Sequence, residues 1–147
     1  MSIGIAYTLQ DRVLLVADNR SVKGFNQADE TISDEAEKIH GISPRITAIG
    51  VGIEQGIKIA VDLLKVSVNE NSSLDRISNA VEVCLEAGWI GLKKSVASDV
   101  DITAPYFKVG LLVAGVAENR VFAAAMIRSH KFKTPLVVNT NDYDGIM

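Results

Sequence analysis

Cysteine is nearly absent: Cys84 stands alone among 147 residues, so no disulfide can close within the chain. That usage suits a reducing compartment and predicts a cytoplasmic protein. The apolar neighbours Val81, Val83 and Leu85 predict a thiol buried in a helix, not a nucleophile. No apolar run reaches the length needed to cross a bilayer. The N-terminus also lacks the basic-then-apolar layout of a secretory signal, so no membrane partner is expected. Lys/Arg clusters dense enough for a nucleic-acid footprint are missing too, and the net charge is −3, which sets DNA and RNA aside. His40 and His130 stand far apart with no acidic or cysteine partner at ligand spacing. A metal site is therefore not expected. Internal repeats, low-complexity tracts and linkers are likewise lacking.

What remains is a chain with 48% hydrophobic and 22% charged residues, long enough for one domain, 1–147, with a sizeable core. Ile3–Leu9 and Val13–Ala17 are apolar runs around a polar turn, which predicts a hairpin. The unbroken run Val13–Ala17 predicts a strand covered on both faces. Residues 21–37 are polar and acidic, a long loop with at most one short strand. Lys38–Ile42 and Arg45–Ile49 predict another strand pair turned at Ser43–Pro44, with Gly50–Val51–Gly52 leading out of it. Ile53, Ile57, Val61, Leu64 and Val68 recur at helical spacing, as do Leu74, Ile77, Val81, Leu85, Trp89 and Leu92 behind a Ser73 N-cap. Trp89 falls on that apolar series and reads as packing. Phe107–Val116 and Arg120–Ile127 predict a second hairpin, and Pro135–Val138 one more strand. Strands, two helices, then strands imply an α+β fold, with the helices grouped on a mostly antiparallel sheet.

Ser2 follows the initiator methionine. With Met1 removed it would carry a hydroxyl nucleophile and a free α-amine on one residue, and the amine would act as base for its own side chain. An α-amine ordinarily titrates near ~7.7–8, so a useful fraction is neutral at cytosolic pH. With Met1 retained, that amine is tied up in a peptide bond and the chemistry is closed.

The segment SIGIAYTLQDRVLLVADNR resembles, without a gap, the opening hairpin of the proteasome β-subunit family, a branch of the N-terminal nucleophile hydrolases. Ser2 then falls on the nucleophilic threonine, and Asp18 and Arg20 fall on the acidic-x-Arg signature after the second strand. EKIHGIS resembles the strand carrying the active-site lysine, here Lys38. TAIGVGIEQG resembles the turn into the first helix, whose glycine amide binds the oxyanion, here Gly50. The layout agrees through about Ile127.

The resemblance implies an αββα four-layer sandwich and a peptidase acting on polypeptide. It also implies self-association into rings, an unfoldase as a further partner, and no metal or organic cofactor. Lys38 would favour the neutral amine and stabilise charge developing on Oγ, Asp18 would hold Lys38, and Gly50 would offer its amide without a Cβ in the substrate's way. Read from the residues alone, Asp18 and Arg20 also suit a solvated pair at a strand end. Lys38 also suits a surface lysine beside Glu35 and Glu37, and Gly50 and Gly52 suit plain turn glycines. A non-catalytic subunit on the same scaffold and a small-amide hydrolase of the wider group stand as alternatives.

Two departures matter. Serine replaces threonine at the nucleophile and loses the methyl that restricts χ1, which predicts slower turnover. The sequence given stops at Met147, near the family's Ser-Gly-Ser loop, whose place Asn139–Gly145 could take. The family's later serine and aspartate have no counterpart, and its C-terminal elements are expected to be missing. Strands such as Val109–Val116 would then lie partly uncovered and favour association.

Overall fold

Leu9 N–H donates to the Arg12 carbonyl at 2.8 Å and turns the first two apolar runs against each other as β1 (Gly4–Thr8) and β2 (Val13–Ala17). They are antiparallel, with Ile5 opposite Val16 and Tyr7 opposite Leu14. The computed structural model describes residues 4–19, 21–23, 30–33 and 37–142. The polar stretch after β2 holds two short antiparallel strands, β3 (Ser21–Lys23) and β4 (Glu30–Ser33), where the sequence suggested at most one.

The main sheet is antiparallel throughout, in the order β5 (Ile39–Ser43), β6 (Ile46–Gly52), β7 (Lys108–Ala117), β8 (Arg120–Ser129), β9 (Val137–Asp142). Between β6 and β7 run α1 (Glu54–Ser67) and α2 (Leu74–Ser95). The helical stripes read from sequence face inward: Val61, Leu64, Ile77, Val81, Leu85, Trp89 and Leu92 are all buried, and so is Cys84. Ser73 caps α2 by accepting the Arg76 N–H at 3.2 Å. A second cap arrives from the β7–β8 turn, where Glu118 accepts the Leu74 N–H at 3.0 Å. Glu118 and Asn119 both take positive φ, as a two-residue hairpin loop requires. A carboxylate at a helix N-terminus also meets the favourable end of the macrodipole, worth about 0.3–1 kcal/mol.

Successive residues of β6 face opposite ways. A Cβ on Gly50 would run into Ile57 of α1, while Ile49 lies against Gly4 of β1. The helices therefore cover one face of the main sheet and the β1–β2 hairpin covers the other, with β1 lying across β6, β7 and β8. At its far end β1 is tied to β9, where the Asn141 amide donates to Thr8 Oγ1 at 3.1 Å.

Three sequence expectations change here. β7 is the middle strand, with Val109, Leu111, Val113 and Ala114 buried, so Val109–Val116 is covered on both faces and not left bare. β2 was expected to be covered on both faces, yet Leu14 and Val16, with Ile5 and Tyr7 of β1, are each more than half exposed. The outer face of the hairpin is therefore an uncovered apolar surface. Of Asn139–Gly145, which could take the place of the family's loop, Asn139–Asp142 pairs with β8 as a strand; residues 143–145 lie outside the described residues. Among the described residues no helix is long and apolar enough to cross a membrane.

Candidate functional site

The apolar run of β2 ends at Ala17, and the polar residues that follow, Asp18 and Asn19, meet the residues leading into β5. Lys38 Nζ donates to Asp18 Oδ2 at 2.7 Å, bringing together two residues twenty positions apart. Their side chains are only 13% and 27% exposed, so the pair is screened less than a surface ion pair. Ala17, Asp18, Asn19, Glu37, Lys38 and Ile39 line an open cleft of ≈ 220 Å³ around it.

Ser2 and Arg20 lie outside the described residues. Gly4, two positions beyond Ser2, packs on Ile49, the residue before Gly50. The start of β1 thus stands at the end of the sheet where Lys38 enters β5. Gly50 is brought to Lys38 as well, but through the backbone: its N–H donates to the Lys38 carbonyl at 3.1 Å. The physical reason for glycine also differs from the one read in the sequence. The vacant side-chain position faces α1 and makes room for Ile57, not for a substrate. An amide committed in this way meets an oxyanion only when the Lys38 carbonyl, just before β5, releases it. Gly50–Gly52, read as a turn, is the last part of β6, and only Gly52 has a positive φ, 107°.

No protein-family model and no curated protein matches this chain.

Of the cleft walls, Glu37 is named in the sequence only as a neighbour of Lys38, and nothing in residue type marks Ala17, Asn19 or Ile39 as the lining of a shallow cleft. Ser129, adjacent in sequence to His130, is buried and spends its hydroxyl on the Phe132 backbone, whose N–H it accepts at 3.2 Å. Cys84 is held above its ordinary thiol value by burial, which a contact with Ser67 only partly offsets. That thiol is the less reactive for it. Among the described residues no group of His, Cys, Asp and Glu is arranged to hold a metal ion.

His40, on β5 just beyond Lys38, is half-buried. Burial holds its imidazole below the ordinary value of 6.5, while Glu37 raises it and Lys65, Asp62 and Glu54 act more weakly. The folded chain therefore takes up this proton at lower pH than the unfolded chain. Its contribution to stability is complete above the ordinary histidine value and is lost as pH falls below it. Between about pH 7.5 and about pH 5.5, where histidine titrates, Tm should fall more steeply for the parent than for His40→Gln. Parallel curves would show that His40 has no such linkage.

Proposed function

We propose that this chain is a proteasome-like N-terminal nucleophile peptidase, with the helices, main sheet and β1–β2 hairpin forming part of an αββα four-layer sandwich. The observation that carries the reading is the Lys38–Asp18 ion pair in a cleft at the end of the sheet where β1 begins. After removal of Met1, Ser2 Oγ attacks the scissile carbonyl carbon and passes its proton to its own α-amine. The tetrahedral intermediate collapses to an ester on Ser2 as the protonated α-amine gives its proton to the departing peptide amine. Water then adds to the ester, assisted by the same amine, and frees the acid. Lys38 supplies positive charge where Oγ becomes negative, and Asp18 keeps the ammonium in place. Unfolded polypeptide in the cytoplasm is the substrate class, with ring assembly and an unfoldase as partners in the same reading.

A second reading, a non-catalytic subunit on this scaffold, is favoured by one observation: the Gly50 amide is already spent on Lys38. Intact mass of the natively produced protein, with and without a β-lactone or epoxyketone probe, separates the two. Loss of Met1 and a single adduct mapping to Ser2 is the expected result. Retained Met1 with no adduct removes the catalytic reading and leaves the structural one.

A further inference from the structure

The fold gathers cations that the sequence keeps apart. Lys93 and Lys94 occupy the last turn of α2, while His130, Lys131 and Lys133 follow β8. Two cations from these elements meet at the buried indole of Trp89, where Lys93 Nζ and the Arg128 guanidinium each stand 5.5 Å from its ring centroid. Lys133 is bridged to Arg128 across the backbone, which places it beside that pair.

Two carboxylates near these cations are already engaged. Glu86 accepts from Arg128 at 3.0 Å. Asp101 accepts from the Thr103 N–H and hydroxyl at 2.9 and 2.6 Å, and it feels the charges of Lys131 and His130 only through space. Among the described residues no carboxylate forms an ion pair with Lys93, Lys94, Lys131 or Lys133. Lysines at the end of a helix also neutralise its exposed carbonyls, and that accounts for Lys93 and Lys94. It does not account for Lys131 and Lys133, nor for the side chain between them.

That side chain is Phe132, 49% exposed although the turn holding it is fixed. Ser129 N–H donates to the Phe132 carbonyl at 2.9 Å, and the Phe132 N–H donates to Ser129 Oγ at 3.2 Å. The backbone beneath an exposed aromatic ring is thus pinned between two lysines, which lowers the ordering cost to a partner that covers it. The whole chain carries a net charge of −3, so four lysines without an ion-pair partner among the described residues stand out on it.

We propose that the α2–β8 end is a docking surface for an acidic segment of a protein partner. Its carboxylates face Lys93, Lys94, Lys131 and Lys133, and an apolar residue covers Phe132. Complementary charge of this kind speeds encounter and fixes orientation, and it weakens with salt. A net-negative chain disfavours a polyanion that must also pass over its acidic faces, which selects a short peptide over nucleic acid.

The test is fluorescence anisotropy of the full 147-residue chain with a labelled peptide of glutamates interrupted by phenylalanine. A glutamine version of the peptide and a single-stranded oligonucleotide of equal length run beside it. The peptide should bind at low salt. Affinity should drop at least about tenfold in the double variant Lys131→Glu, Lys133→Glu, which corresponds to about 1.4 kcal/mol. The double reversal Lys58→Glu, Lys65→Glu on α1 should leave it close to parental, and Tm of each variant verifies folding. Absence of peptide binding, equal binding of the glutamine version, equal loss in both double variants, or tighter binding of the oligonucleotide would each overturn the proposal.

Discussion

Lys38→Met is expected to slow acylation of Ser2 by about 10²–10⁴-fold, the range that one positioned proton-transfer or charge-stabilising group contributes. The substitution keeps a long apolar stem but removes the ammonium that meets Asp18 Oδ2 at 2.7 Å. Removing it breaks a partly buried ion pair, so some stability is lost with the rate. Lys38→Arg separates the two effects. A guanidinium can restore an ion pair to Asp18, returning most of the lost Tm, yet it spreads its charge over a planar fork that cannot stand in for a compact ammonium beside Oγ. Time-resolved mass spectrometry of probe labelling, with Tm measured for each variant, is the check. Labelling of Lys38→Met within a few-fold of the parent would remove Lys38 from the chemistry.

The largest stability effect is expected at Trp89. Its side chain is fully buried between α2 and the sheet, with Phe107 meeting it edge-on at 5.6 Å and two cations against its ring. Trp89→Ala should cost about 3–5 kcal/mol through lost burial and the cavity left behind, a large share of the roughly 5–15 kcal/mol that holds a domain together. Trp89→Phe keeps an aromatic ring against Phe107 and should cost less. Because Trp89 is the single tryptophan, urea unfolding is followed by circular dichroism, since fluorescence vanishes with the residue. A loss below about 1 kcal/mol, the ordinary size of a mutational effect, would mean that the indole is not part of the core.

The helices were legible because both amphipathic stripes run for several turns, and every turn repeats the same message. Ser73 was legible for a local reason: an N-cap needs only its own helix. The strands were read less well wherever their surroundings decided the outcome. Val13–Ala17 is apolar at every position, which is the usual mark of a strand covered twice over. Only tertiary placement tells that Leu14 and Val16 face outward. Gly50 and Gly52 looked like a turn because glycine is common there, whereas Gly50 serves the close approach of α1 to β6. The two strands at 21–23 and 30–33 carry no alternation that would have announced them.

At the site, no spacing rule connects Asp18 with Lys38. Only the resemblance of the surrounding segments links them in the sequence, and the fold joins them as an ion pair. The basic end of the molecule left no trace in a linear reading. Its lysines come from stretches too short to register as clusters, and only the packing of α2 beside β8 sums them.

The tie between Thr8 and Asn141 spans nearly the whole sequence. Of the strands described, β1 leaves the ribosome first, yet the platform on which it lies is built from β6, β7 and β8 and is finished by β9. Its seating therefore waits for a very long loop closure, 133 positions for the Thr8–Asn141 tie, a step whose entropy must be met before any contact repays it. During synthesis the hairpin can form early as a local unit, with apolar side chains on both faces and nothing yet to cover either. Docking hides one face and leaves the other as it was on emergence. The segment next to the proposed nucleophile is thus made before the sheet on which it is seated.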